Sequence, residues 1–258
     1  MLCATFNANS IRARQDVLLA WLQKHSPAVL CIQETKVQDH DFPAAVFAEA
    51  GYSAVFRGEK SYNGVAILAR SMPYEAVFGF DDGGSEDATR LVRARVGKLW
   101  IVNTYVPQGR ALDHPMYRYK LEWFQRLRDY FDRHFTPRMP VLWCGDLNVA
   151  ATPDDVHHPE RQARHVCFHE DIRAAFEQCR AWGFQDVFRQ LHPDRKEAYT
   201  FYDYRVRGSL DKALGWRIDY LLATPPLSRT ARAADIDLEP RRQAGSSDHT
   251  FLWADFEI

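Results

Sequence analysis

Ala28-Val29-Leu30-Cys31-Ile32-Gln33-Glu34-Thr35-Lys36 is the stretch that decides the fold. Its first five residues are apolar, too few for a globular helix, and predict a buried strand that ends on a polar, charged segment. Upstream, Leu2 to Phe6 reads as another short buried strand. Between the two, Val17, Leu18, Trp21 and Leu22 recur at helical spacing, with Ser10 placed to offer an N-cap oxygen. Strand, helix, strand is the opening of an α/β protein.

Downstream the same alternation continues with a difference. Phe42 to Ala50 predicts a short helix stopped by Gly51, and Gly64 to Ala69 a further buried strand. Arg90 to Val96 and Leu99 to Tyr105, separated by Gly97-Lys98, predict a two-residue hairpin, so the sheets contain antiparallel as well as parallel strands. Tyr117 to Phe135 has helical spacing through Leu121, Phe124, Leu127 and Phe131 and is closed by Pro137 and Pro140. Val141 to Cys144 then predicts a strand delivering Gly145-Asp146-Leu147-Asn148, followed by a long irregular stretch from Val149 to Cys167. Glu170 to Trp182 predicts a helix, and Trp216 to Ala223, Ala233 to Leu238 and Thr250 to Phe256 the last strands. No composition shift, repeat or low-complexity tract divides the chain, and one domain over residues 1–258 is expected.

The 258 residues carry 33 Lys and Arg against 34 Asp and Glu, a net charge of -1, with 46% hydrophobic residues. That excludes a disordered chain and a uniformly basic nucleic-acid binder; positive potential for such a partner must come from a local patch. Five cysteines, odd in number and without a C-x-x-C pair, are expected as buried free thiols. No apolar run approaches the roughly 20 residues that span a bilayer. The N-terminus lacks a basic segment followed by an apolar one, and a cytoplasmic protein is expected.

Three acids sit where apolar strands end or are interrupted: Glu34, Asp146 and Asp219. A carboxylate beside a core is costly unless paired, hydrogen-bonded or bound to a cation, and each alone reads as an ion pair. With Asp248-His249 opening the last strand they form a set of acids and one imidazole at strand ends, where α/β active sites are built. Oxygen-rich sets suit a hard cation such as Mg²⁺, while no Cys/His spacing suggests zinc. A phosphate held on such a cation then needs a positioned water, a base and donors for the developing charge, which Asn7, Tyr105, Asn148 and His249 can supply.

Asn7 with Asn9, Gln33-Glu34-Thr35-Lys36, Asn63-Gly64-Val65-Ala66, Tyr105-Val106-Pro107, Gly145-Asp146-Leu147-Asn148, Trp216-Arg217-Ile218-Asp219-Tyr220 and Ser247-Asp248-His249 occur in this order. Together they resemble the exonuclease III / apurinic-apyrimidinic endonuclease family, and the Tyr105-Val106-Pro107-Gln108-Gly109 stretch with Asp113-His114-Pro115 is most similar to its bacterial exodeoxyribonuclease III branch. The resemblance implies a four-layer α/β sandwich, two mixed β-sheets packed face to face and flanked by helices. It implies a phosphodiesterase dependent on Mg²⁺, with Mn²⁺ as a substitute. By the same resemblance Glu34 is the principal metal ligand with Asn9 and Asp248 nearby, and Asp146 orients or deprotonates the attacking water. His249, held by Asp219, stabilises the phosphate, and Tyr105, Asn7 and Asn148 contact phosphate oxygens or the leaving group.

The implied partner is double-stranded DNA, above all with abasic sites or blocked 3′ ends; a monomer with no obligate protein partner and no membrane is expected. Contacts to DNA are expected from Lys36, Gln108, Arg110 and Arg217, with Arg118, Lys120, Arg126, Arg128, Arg205, Arg207 and Lys212 as further basic candidates. Phe201 and Trp216 match positions that wall a pocket for a base-free sugar, although both also read as core aromatics. Asn9 stands where some relatives have Asp, and Tyr202 where many have Trp. The implied activity is cleavage 5′ to an abasic site with 3′-end trimming. The alternatives are a catalytically silent DNA-binding module of the same fold and an RNA-directed nuclease.

Overall fold

The structure is a computed structural model that describes residues 1–258. Twelve strands form: β1 (Leu2–Asn7), β2 (Val29–Gln33), β3 (Ser53–Arg57), β4 (Val65–Ala69), β5 (Tyr74–Phe78), β6 (Leu91–Val96), β7 (Leu99–Tyr105), β8 (Val141–Asp146), β9 (Gln185–Asp186), β10 (Asp219–Ala223), β11 (Ala231–Asp237) and β12 (Phe251–Phe256). They make two six-stranded sheets, ordered β11-β12-β1-β2-β4-β3 and β5-β6-β7-β8-β10-β9. Each sheet has one parallel pair at its centre, β1 with β2 and β7 with β8, and antiparallel neighbours elsewhere. The expected four-layer sandwich of mixed sheets is the fold observed.

The apolar residues account for the layers. Alternate strand positions point to opposite faces. Cys3, Val29, Cys31, Val65 and Ile67 of one sheet meet Val92, Ile101, Leu142, Cys144 and Leu221 of the other in the central core. The opposite faces are covered by helices. Helix α1 (Gln15–His25) buries Val17, Leu18, Trp21 and Leu22, which pack with Phe6, Leu30 and Phe251. Helix α3 (Pro115–His134), third in the chain after the short α2 (Ala44–Glu49), packs with α4 (Glu170–Arg180) over Trp143, Leu222 and Phe184. Burying each such large apolar side chain contributes about 1.5–3 kcal/mol.

The local signals explain most ends. In α3, His114 Nδ1 accepts the Met116 N–H (3.0 Å), Pro115 occupies the first turn, and Arg133 and His134 lie at the negative end of the dipole. The hairpin pairs Val96 with Leu99 across Gly97-Lys98, as expected. Other expectations need correcting. Ser10 does not cap α1, because its backbone N–H is bonded to Glu34 O (2.8 Å) and the helix starts only at Gln15. Strand β10 starts at Asp219, because Trp216 turns away to bridge Phe201. All five cysteines are buried and unpaired. No helix is long and apolar enough to cross a membrane.

The sheet plan positions the site. Both parallel pairs end at the same rim of the sandwich: Asn7 aligns with Gln33, just before Glu34, and Tyr105 aligns with Asp146. At two places only glycine permits the ends to approach. A Cβ on Gly64 (φ +97°) would sit 1.9 Å from Thr35 Oγ1, and one on Gly145 (φ +130°) would sit 2.0 Å from Thr104 O.

Candidate active site

Asn7 joins the two sheets at this rim. Its Nδ2 donates to Glu34 Oε1 (2.8 Å) and to Asp146 Oδ2 (2.8 Å), so one buried amide holds a carboxylate from each sheet. Its Oδ1 accepts the Asn9 N–H (2.9 Å). Glu34 adopts φ 51° and Lys36 φ 54°, a left-handed conformation unusual for these residues and held by Thr35 N–H to Gly64 O and Lys36 N–H to Asn63 O. This brings Lys36 Nζ to 2.7 Å from Glu34 Oε2 and 2.5 Å from Asn9 Oδ1, while Asn9 Nδ2 donates to Asp248 Oδ1 (3.0 Å).

Beside this cluster lies a chain of acid, imidazole and acid. His249 Nδ1 is 2.8 Å from Asp219 Oδ2, and its Nε2 is 3.8 Å from Asp146 Oδ2. The second oxygen of Asp146 accepts the Asn148 N–H (3.0 Å). All three ionisable groups are buried. Burial pushes the Asp146 carboxyl well above the usual aspartate range; His249 pulls it down, and Asp219 and Glu34 add to the rise. Burial works against the His249 imidazolium, but Asp219 and Asp146 outweigh it and raise the ring above its ordinary range. For Glu34, burial is likewise outweighed by Lys36, so its carboxyl is held below its ordinary value. Burial, then the charges of Glu34 and Asp146, keep the Tyr105 phenol neutral.

These residues open into a cleft of about 640 Å³ that Glu34, Tyr105, Asp146, Asn148, Asp248 and His249 share. Its other wall carries Phe201, whose ring lies 4.9 Å from that of His249, and Trp216. Gln108, Arg110 and Arg205 stand at its edge.

Whether a metal fits is decided by the donors. Asp146, Asp219 and His249 bring ligand atoms within 4.8 Å of one another and could hold an ion. The imidazole is committed to Asp219, whereas Glu34 Oε2 and Asn9 Oδ1, beside Asp248, are oxygens of the kind a hard cation prefers, and both already face one cation, the Lys36 ammonium. Asp219 Oδ1 is buried without a hydrogen-bond partner. The residues present fit a divalent cation on oxygen donors.

Several basic candidates lie elsewhere. Arg217 does not face the cleft: it is buried, with Nε 2.7 Å from Asp155 Oδ1 and Nη1 2.7 Å from Asp186 Oδ2. A buried, doubly paired guanidinium is not free to meet a phosphate backbone, so it is removed from the expected DNA contacts. Lys120 is buried too, donating to Asn148 O (2.6 Å), Val166 O (2.8 Å) and Gln108 O (3.1 Å) and so pinning the loop after β7 to the long stretch after β8. Arg126 pairs with Asp82 and Asp87, and Arg128 with Asp132. His157, Gln162 and His165, not among the expected site residues, also line the cleft from the long irregular stretch. His165 lies against Trp216 with ring centroids 4.5 Å apart. No spacing marks these three; only the density of histidines between His157 and His169 sets the segment apart.

The model of the endonuclease/exonuclease/phosphatase family matches residues 4–249. An exodeoxyribonuclease III of Haemophilus influenzae is 29% identical over 98% of both chains. Among solved structures, an AP endonuclease from Archaeoglobus fulgidus is 45% identical with a TM-score of 0.98, and a 3′ phosphatase from Neisseria bound to a product DNA hairpin is 32% identical with a TM-score of 0.94. In both cases all of each chain is covered.

Proposed function

The chain belongs to the endonuclease/exonuclease/phosphatase family, and from that premise we propose that it is a Mg²⁺-dependent DNA repair phosphodiesterase, an abasic-site endonuclease and 3′→5′ exonuclease of the exodeoxyribonuclease III type. Residues 1–258 act as one catalytic domain, since the site draws on both sheets, and the enzyme works in the cytoplasm. The observation that carries this reading is the line Asp219, His249, Asp146, tied through Asn7 to Glu34. It offers a proton acceptor, a fixed cation and a carboxylate for a metal around one point of an open cleft.

Asp146, its basicity raised by burial, takes the proton of the attacking water as the water oxygen bonds to phosphorus. The P–O3′ bond on the 5′ side of the lesion breaks, the leaving O3′ takes up a proton, and a 3′-hydroxyl and a 5′-phosphate remain. The His249 imidazolium, oriented by Asp219, stabilises charge gathering on the phosphate oxygens. Tyr105 and Asn148, which also line the cleft, contact phosphate or leaving group, and Asn7 sets the spacing of the two carboxylates. Glu34 with Asp248 and Asn9 would hold the cation, which when bound polarises the phosphoryl group as a Lewis acid. Phe201 and Trp216 wall the space for the base-free sugar, whose extrusion costs little stacking, while Gln108, Arg110 and Arg205 of the cleft follow the strand, with Lys36 beside Glu34.

The test is a duplex carrying one abasic analogue, incubated with the protein in Mg²⁺ or EDTA beside an undamaged duplex and a single-stranded RNA. Metal-dependent nicking 5′ to the lesion, lost in Asp146→Asn, is the expected outcome. Salt-sensitive duplex binding with no cleavage in Mg²⁺ or Mn²⁺ would leave only a DNA-binding module, and cleavage of the RNA alone would overturn the substrate.

A further inference from the structure

The bond between Asp219 and His249 crosses from one sheet to the other, since Asp219 opens β10 and His249 precedes β12. No backbone hydrogen bond pairs those two strands with each other, so their relative position at the rim must be set by something else. Thr200 stands between them. Its Oγ1 accepts the N–H groups of Ile218 (3.2 Å) and Asp219 (3.2 Å), and its hydroxyl donates to Trp216 O (3.4 Å). Its backbone N–H also bonds Trp216 O (2.9 Å), while its carbonyl accepts the Thr250 N–H (2.8 Å). One buried residue therefore grips the start of β10 with its side chain and the start of β12 with its main chain. Phe201 extends the same grip by bridging both Trp216 and His249.

We propose that Thr200 is a positioning residue for catalysis: its hydroxyl fixes the backbone of Asp219 relative to Thr250, and so sets the 2.8 Å contact between Asp219 and the His249 imidazole. The hydroxyl serves as the acceptor for two successive buried N–H groups, those of Ile218 and Asp219, where β10 begins. A buried amide left without an acceptor is costly enough to move the chain. Thr200 touches no reacting atom, and its effect passes wholly through Asp219.

This inference rests on the phosphodiesterase reading, and two readouts separate the fates of the two. In Thr200→Val, which keeps the side-chain shape and removes the acceptor, kcat on the abasic duplex is expected to fall by about tenfold or more with KM nearly unchanged, part of the roughly 10²–10⁴ an acid–base group supplies. Thr200→Ser should restore most of the rate. Independently of activity, the downfield NMR signal of the His249 ring proton bonded to Asp219 should move or vanish in Thr200→Val and remain in Thr200→Ser. A wild type without nuclease activity would sink the phosphodiesterase reading, and the NMR comparison would still decide the role of Thr200. An unchanged ring-proton signal in Thr200→Val, or a loss of rate carried by KM alone, would overturn it. Should Thr200→Val not fold, Thr200→Ala takes its place with the same expectations; failure of both to fold would make Thr200 a residue of the fold rather than of the dyad and overturn the proposal.

Discussion

At Asp146 and His249, burial and mutual attraction act on the protonation states that the proposed mechanism requires. In that mechanism Asp146 is ionised to accept a proton, and its pKa lies above the ordinary aspartate range, so activity is expected to be lost as pH falls through that raised value. In the same mechanism His249 stays protonated, and its pKa is raised by Asp219 and Asp146 against burial, so activity is expected to be lost as pH rises through it. The kcat/KM profile at fixed Mg²⁺ is therefore expected to be a bell whose acid limb lies above about pH 4 and whose alkaline limb lies above about pH 6.5, the ordinary Asp and His values. Because His249 holds the Asp146 pKa down, His249→Asn should move the acid limb to higher pH as well as slow the reaction. An acid limb that stays in place would show that Asp146 is not the group titrating. These residues were legible in the sequence because a charge that ends or interrupts an apolar run has few structural explanations. Arg217 was not. Its place between Trp216 and Ile218 reads as an outward cation, while its partners Asp155 and Asp186 lie in segments with no pattern that points to them.

Among the elements, the decisive features are the turns that stop the strands at the rim. Gly145 lies inside β8 one residue before Asp146, at φ +130°, where an added Cβ would lie 2.0 Å from Thr104 O of β7. Gly145→Ala must push the parallel pair apart or shift Asp146, and is expected to cost about 1–3 kcal/mol of stability for the strained backbone alone. Activity should fall further than the folded fraction explains, because the Asn7 bridge from Asp146 to Glu34 depends on both carboxylates keeping their places. Urea unfolding and single-turnover cleavage on the same sample check this, and full activity per folded molecule would refute it. The sequence showed where most strands and helices run, since hydrophobic period survives in a single chain. It did not show β3, β5 or the helix from Val187 to Leu191, where the apolar signal is short or half exposed. Nor did it show that β10 begins late, because the bridging of Trp216 to Phe201 is a tertiary choice invisible to local pattern.

On the scale of the whole molecule, charge divides into cations that structure the protein and cations that face the cleft. The net charge of -1 supplies no general attraction to DNA, so affinity is expected from the few cations lining the cleft, Arg110 and Arg205, the latter also paired with Asp203 (2.7 Å). Arg110→Ala and Arg205→Ala are each expected to weaken duplex binding and to lower the slope of log K against log salt by about one, whatever the sequence of the duplex. Arg217 belongs to the other class. Asp155 accepts from both Arg217 and Arg189 (2.7 and 2.6 Å), and these cations outweigh burial and hold its carboxyl below the ordinary range. A depressed carboxyl contributes stability above its unfolded pKa, lost as pH falls through the folded one, so Asp155 favours the fold at neutral pH and not in strong acid. Arg217→Met leaves Asp155 and Asp186 without that partner and is expected to cost about 3–5 kcal/mol at neutral pH, a penalty that shrinks on acidification. Because the loss is one of folding, the salt slope of the variant molecules that remain folded should match that of the wild type. Equilibrium unfolding at neutral and acid pH, set beside salt titrations of duplex binding, tests the division: an Arg217 variant of unchanged stability and reduced slope would return that residue to the DNA interface.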